Sequence, residues 1–340
     1  MKFKSIYLSI VIIILYSCNN DDDIATFNSQ IPDDVYVAGH KNNIATYWKN
    51  NVEIPLNSTA NQSTANKIVV SNGNVYVMGK VFSPLMSYYS KWVNGVETNL
   101  NTTFQETNYI VDKITDMHIV GNDEYFLGYL KSTNPPVTYD LVYWKNGVKN
   151  IIKQNCIFIE SGSSIKIVNN NVYVFSRNEN NQKGVYINNI FNPVGTGYLA
   201  YNMITDNNDV YIYGYYNGGG FYRNVITGNE ITTSNNITGL NFDNSNGNIY
   251  FKERYDDGNV FSSRRAIRKN NSNYEYISPA GYESHIPDFK LMNGDLYIIV
   301  RELTNANHGS NKLLKNNQEE IVLDNILYDD SLKSIFIIDN

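Results

Sequence analysis

One five-residue string, Val35-Tyr36-Val37-Ala38-Gly39, is written again and again along this 340-residue chain. It returns as Val75-Tyr76-Val77-Met78-Gly79, Glu124-Tyr125-Phe126-Leu127-Gly128 and Val210-Tyr211-Ile212-Tyr213-Gly214, and in shorter form at Val172-Tyr173-Val174, Ile249-Tyr250-Phe251 and Leu296-Tyr297-Ile298. The tyrosines lie 40, 49, 48, 38, 39 and 47 residues apart. A period of about 40–50 residues belongs to architectures that stack one supersecondary unit. Each unit reads as four strands. An apolar strand and an Asn- or Gly-bearing turn (Asn72-Gly73, Asn207-Asn208, Asn293-Gly294) precede the Val-Tyr-Val strand. A third strand ending in Tyr-Trp-Lys-Asn-Gly follows, as in Tyr143-Trp144-Lys145-Asn146-Gly147-Val148, with echoes at Trp48-Lys49-Asn50 and Trp92-Val93-Asn94-Gly95. Asn-Gly between strands demands positive φ at both central residues and is a strong hairpin signal.

Four antiparallel strands repeated radially make a β-propeller. The second, third and fourth strands occur seven times, but the first unit has no first strand. The final segment, Ser334 to Asn340, supplies one. The expectation is an all-β, seven-bladed propeller of four-stranded antiparallel blades, closed by the C-terminal strand joining the N-terminal blade. Six or eight blades, and a β-solenoid, are the alternatives. Composition agrees: Asn is roughly one residue in six, Tyr numbers 28, and Ala and Leu are scarce, a mixture poor for helices and good for turns and strands.

The chain begins with Lys2 and Lys4, then an apolar run from Ile6 to Leu15, too short to span a bilayer. Leu15-Tyr16-Ser17-Cys18 follows, with the shape of a signal peptide cleaved before Cys18. Leu-x-Ser-Cys resembles a bacterial lipobox, in which Cys18 is acylated; the plain alternative is an ordinary signal peptide with a chance Cys. Asp21, Asp22 and Asp23 come just after it. That acidic cluster resembles the export signal of Bacteroidota surface lipoproteins, and is otherwise a solvated charge run. The division expected is residues 1–17 as signal peptide, 18–33 as acidic tether and 34–340 as propeller. The repeats and the export signal together resemble propeller lipoproteins of Bacteroidota. That resemblance implies fold and an outer-membrane, cell-surface address, and brings no catalytic residues with it.

The remaining chemistry is sparse. His40, His118, His285 and His308 have no metal-ligand spacing, so neither metal nor cofactor is expected. The formal charge of −6 argues against nucleic acid. Asp256-Asp257-Gly258-Asn259 reads as a turn, and Gly218-Gly219-Gly220 as a place where backbone bends or approaches closely. His118 is expected to pack in a first strand, and Cys156 to be a buried thiol. Loops between second and third strands, with the crossings between blades, share one face of the disc and include the longer segments. Tyr139, Tyr215, Tyr216, Arg264, Tyr282 and His285 lie in or near them and are the candidate ligand contacts, because tyrosine offers an apolar ring and a polar tip. The expected function is a monomeric, membrane-anchored binding propeller holding a glycan, peptide or protein on this face. A glycan hydrolase or lyase at the channel mouth and a structural envelope component are the rivals.

Overall fold

The computed structural model describes residues 34–84, 86–157, 159–243, 246–255, 264–270, 272–280, 283–303, 309–325 and 330–338. Cys18, Asp21, Asp22, Asp23, Tyr282, His308 and the Asp256–Asn259 turn lie outside them. Seven antiparallel sheets follow one another as the blades of a β-propeller. In blade 1, Ser331–Ile338 is the inner strand, hydrogen-bonded to Asp34–Lys41, with Ile44–Lys49 and Val52–Pro55 outside it. The expected closure by the C-terminal strand is therefore present. The inner strands of blades 2 to 6 are Gln62–Ser71, Tyr109–Val120, Ser164–Val168, Leu199–Asp206 and Ile237–Asp243. Blade 7 has a broken one, Glu283–His285 and Phe289–Met292, both paired with Asp295–Leu303.

The Val-Tyr-Val string occupies each second strand, where alternate side chains point to opposite faces. Both faces are covered. Tyr36 packs with Ile68 and Trp92 of blade 2, whereas neighbouring Val37 packs with Tyr297 and Leu313 of blade 7. The same division recurs around the ring. Tyr76 faces blade 3 and Val77 blade 1; Tyr173 faces blade 5 and Val174 blade 3; Tyr250 faces blade 7 and Phe251 blade 5. One apolar cluster thus fills each of the seven blade boundaries. Trp48, Trp92 and Trp144 are buried in them.

The repeated Lys-Asn pair is a clamp. In blades 1, 2, 3, 4, 6 and 7 the turn asparagine has φ between 46° and 50° (Asn50, Asn94, Asn146, Asn188, Asn270, Asn316). Its backbone N–H donates to the carbonyl of the residue that opens the second strand, for example Asn146 to Glu124 at 2.9 Å. Its Oδ1 accepts from that residue's own N–H, at 2.8 Å for Glu124. Its Nδ2 donates to the preceding Asp or Asn, Asp123 in blade 3 at 2.7 Å. Blades 1, 2, 4, 6 and 7 repeat the set. Asparagine suits the site because it tolerates left-handed backbone and carries both acceptor and donor. In blades 1, 3 and 7 the lysine before it pairs with the same aspartate and lies over the repeated tyrosine: Lys145 is 2.8 Å from Asp123 and 5.4 Å from the Tyr125 ring centre. In blade 5 the clamp is gone; Asn224 Oδ1 caps the N–H groups of Ile226 and Thr227 instead.

The glycine of the repeat answers to a bulge. Where Gly39, Gly79, Gly128 and Gly214 occur, the inner strand carries one extra residue directly after their partners, namely Lys333, Asn66, Thr115 and Tyr201. The bulge brings a carbonyl over the glycine. A Cβ on Gly79 would lie 1.7 Å from Thr64 O, and one on Gly214 2.1 Å from Leu199 O. Blade 6 has the bulge with Glu253 in the glycine's place. Gly219 and Gly220 likewise meet backbone carbonyls, those of Thr233 and Asn235, at 2.2 and 2.3 Å, the close approach expected of the triple glycine.

The long-loop face is less uniform than the sequence implies. In blades 1 and 5 the second and third strands are joined by tight turns, Asn42-Asn43 and Asn217-Gly218, because the strands run on to Lys41 and Tyr216. In blade 3 the second strand extends to Ser132 and the third begins at Tyr139, leaving residues 133–138 as the loop.

Gly79→Ala is expected to cost about 3 kcal/mol or more, since no rotamer relieves a backbone overlap. Gly95→Ala, at φ 85° with open space around it, costs only the left-handed strain of ~1–2 kcal/mol. Urea unfolding of the two variants checks this; equal losses would refute the bulge explanation.

Candidate functional site

Seven inner strands surround a central channel, and their register sorts its lining into two tiers. Opposite the repeated tyrosines stand Phe336, Val69, His118, Lys166, Ile204, Asn241 and Lys290. Two residues earlier come Ser334, Lys67, Asp116, Ser164, Asn202, Gly239 and Asp288. Residues two apart share a face of a strand, so both tiers point to the channel; in blades 1, 2, 3, 5 and 6 a one-residue bulge lies directly before the upper tier. The lining encloses a cavity of about 450 Å³ that Tyr213 and Lys252 enter from second strands. It shares Lys67, Lys166 and Asn202 with a mouth of about 290 Å³ walled by Thr115, Asp116 and Ser161 to Ser164, on the side where the chain crosses between blades.

Several lining groups tie blades together. Asp116 is buried; its Oδ1 accepts from Lys67 of blade 2 and from Met117 N, and its Oδ2 from Ile165 N of blade 4 at 2.9 Å. Burial raises the Asp116 carboxyl, but Lys67, Lys166 and the Ile165 N–H outweigh it and hold the group below the usual carboxylate range. Asp288 repeats the motif, with Oδ1 on Phe289 N at 2.9 Å and Oδ2 on Ile335 N of blade 1 at 3.0 Å. Asn241 spans blades 6 and 7 through the Phe289 carbonyl at 2.8 Å. Ser164 Oγ donates to Asn202 Oδ1 at 2.6 Å across blades 4 and 5.

The cations differ. Lys252 donates to Ile286 O at 2.8 Å, and burial lowers its pKa, partly offset by Asp288. Lys166 is pushed down to about 8, chiefly by burial and then by Lys67. His118, expected to pack in its first strand, instead lines the channel, and burial followed by Lys166 and Lys67 lowers it to about 3. It is neutral at physiological pH.

The ligand candidates read from the sequence stand elsewhere on the disc. Tyr139 packs against the blade 3–4 cluster and pairs with Cys156, whose buried thiol is raised, chiefly by burial. Tyr215 is half-buried, and Tyr216 stacks on Tyr198 with ring centres 3.8 Å apart. Arg264 Nε donates to Ser278 O at 2.7 Å, and its guanidinium lies 4.9 Å from the Tyr255 ring centre. Neighbouring Arg265 N donates to Ser284 Oγ at 3.1 Å. This brings Arg264 to the same corner of blades 6 and 7 as His285, which is exposed and 3.3 Å from Glu283. Tyr139 sits in blade 3 and Tyr215 and Tyr216 in blade 5, apart from that corner, and none of these five residues lines the channel cavity. The channel groups had one sequence signal: polar residues at alternate positions of otherwise apolar first strands, as in Asp116 and His118, or Ser164 and Lys166.

No protein-family model and no curated protein sequence matches this chain. Solved structures do. A prolyl endopeptidase aligns over 91% of this chain and 50% of its own, at 10% identity and TM-score 0.50. A puromycin-hydrolyzing peptidase of Mycobacterium tuberculosis aligns over 77% and 52%, at 7% identity and TM-score 0.47. A GH43_1 enzyme of Xanthomonas citri aligns over 62% and 88%, at 11% identity and TM-score 0.33. The chain spans about half the length of the two peptidases. At such identity the likeness is one of propeller fold alone.

Between pH 6.5 and about 3 an unfolded chain protonates His118 and the folded chain does not. Stability from this group is therefore present above pH 6.5 and is lost as pH falls. His118→Gln is expected to flatten the decline in unfolding free energy between pH 6 and 4, by at most ~1.4 kcal/mol per pH unit. Chemical denaturation at several pH values tests it, and identical slopes would exclude the assignment.

Proposed function

We propose that this protein is a non-enzymatic binding propeller, anchored to the outer membrane by lipid on Cys18 and displayed at the cell surface. It holds a glycan, peptide or protein partner on the face where the blade crossings lie. The observation that carries the binding reading is the state of the channel carboxylates. A hydrolase that worked by acid–base chemistry in the channel would need a carboxyl free to exchange protons. Asp116 and Asp288 each have both oxygens filled by backbone N–H groups or by Lys67, and both bridge blade boundaries. They serve the ring. The half-buried rings of Tyr139, Tyr215 and Tyr216 and the Arg264–His285 corner are rim contacts for such a partner. The lipobox-like Leu15-Tyr16-Ser17-Cys18 and the Asp21–Asp23 cluster support the anchor and the surface address.

A glycan and peptide array probed with the Cys18→Ala chain tests the binding claim. Hits are expected, weakened several-fold by Tyr216→Ala or His285→Ala. Turnover of a polysaccharide without array binding would overturn it. Membrane partition tests the anchor, since the Cys18→Ala chain is expected in the soluble fraction.

A further inference from the structure

Hydrogen-bond accounting inside the channel leaves donors over and acceptors used. The oxygens of Asp116 and Asp288 are taken by backbone N–H groups and Lys67. Asn241 is satisfied at both ends, by Phe242 N and Phe289 O. Asn202 Oδ1 already accepts from Met203 N at 2.7 Å and from Ser164 Oγ. Its Nδ2 makes no hydrogen bond among the described residues. The same holds there for Lys166 Nζ and Tyr213 Oη. All three residues line one cavity. The charge balance leans the same way. Lys67, Lys166, Lys252 and Lys290 face only Asp116 and Asp288, within a chain of formal charge −6. Lys166, Asn202 and Tyr213 are all half-buried, so solvent reaches these donors and a ligand that brings acceptors can displace it.

We propose that the central channel binds a small anion, a carboxylate or phosphate group, between Lys166 Nζ, Asn202 Nδ2 and Tyr213 Oη. The ligand supplies the acceptors that the walls lack. Charge-assisted bonds from an ammonium and neutral donors to an oxyanion are among the stronger polar contacts. The cavity of about 450 Å³ falls within the range of small-molecule sites, so the anionic group can belong to a molecule as large as an acidic monosaccharide. Entry is through the mouth at Thr115 and Ser161 to Ser164, which shares Lys166 and Asn202 with the channel. Burial and Lys67 already disfavour the protonated Lys166; an anion beside it reverses that. The site stands apart from the rim reading, so an array without hits leaves it untouched.

Isothermal titration of the full chain, with sodium chloride adjusted to constant ionic strength, tests the site. The probes are inorganic phosphate, glucuronate and, as the neutral control, glucose. At least one anion is expected to bind about tenfold or more tighter than glucose, a difference of ~1.4 kcal/mol, and the two anion arms tell phosphate from carboxylate. Asn202→Asp keeps the acceptor that holds Met203 N and replaces the free donor by a negative oxygen. It is expected to weaken the anion about tenfold or more, as is Lys166→Met. Without anion, Lys166→Met is expected to raise the melting temperature at pH 7, because an unpaired ammonium is removed. Two results would overturn the proposal: neither anion binding tighter than glucose, or Asn202→Asp retaining the wild-type affinity.

Discussion

Every second strand in this ring is buried on both faces, and the rest of the structure follows from that. Tyr36 is covered by one neighbour and Val37 by the other, so a lone blade would leave both apolar surfaces in water. At about 25 cal/mol per Å² of apolar area, that exposure outweighs what four short strands can hold together. A row of such blades still has two bare ends. Closure removes them. Ser331–Ile338 pairs with Asp34–Lys41, and Leu332, Ile335 and Ile337 complete the boundary between blades 7 and 1.

Closure also makes the channel. Seven inner strands turned toward one axis must place something there, and this chain places polar groups that fasten adjacent blades: Asp116 to Ile165, Ser164 to Asn202, Asn241 to Phe289, Asp288 to Ile335. Buried polar groups are favourable only when satisfied, and most of these are. Lys166, Asn202 and Tyr213 are half-buried and line one cavity, where Lys166 Nζ, Asn202 Nδ2 and Tyr213 Oη have no protein partner among the described residues. Construction and binding capacity share a single wall.

Departures from the repeat are as informative as its copies. Blade 5 gives up the asparagine clamp, and Asn224 caps a loop instead. Blade 6 puts Glu253 where other blades have glycine, and Glu253 is fully buried, 2.8 Å from Arg268 and 3.1 Å from Asn235. Blade 4 has Ser176 there, hydrogen-bonded to Tyr129 and Ser163. Blade 7 has the buried apolar Val300 there; in blades 4 and 6 the polar side chain at this level has to find a partner inside the wall, and it does.

The sequence alone determined the strand order within a blade, the closing strand and the Asn-Gly turns, and favoured seven blades over six or eight. Each is a local matter: a period-two strand pattern, a turn needing positive φ, a repeat that can be counted. The burial of Trp48, Trp92, Trp144 and Cys156 was legible for the same reason. The candidate site was hardly legible. Tyr139, Tyr215, Tyr216, Arg264 and His285 drew notice by residue type and loop position, yet the register spreads them over different blades. Lys67, Asp116, Lys166, Asn202 and Asp288 looked like isolated polar residues in apolar strands. Only the tertiary structure brought them together, because convergence at the axis depends on ring closure, with a one-residue bulge setting the face in the strands of Lys67, Asp116 and Asn202. A bulge shifts every later side chain to the other face; the repeat glycine marks four bulges, but its meaning shows only once the strands are paired.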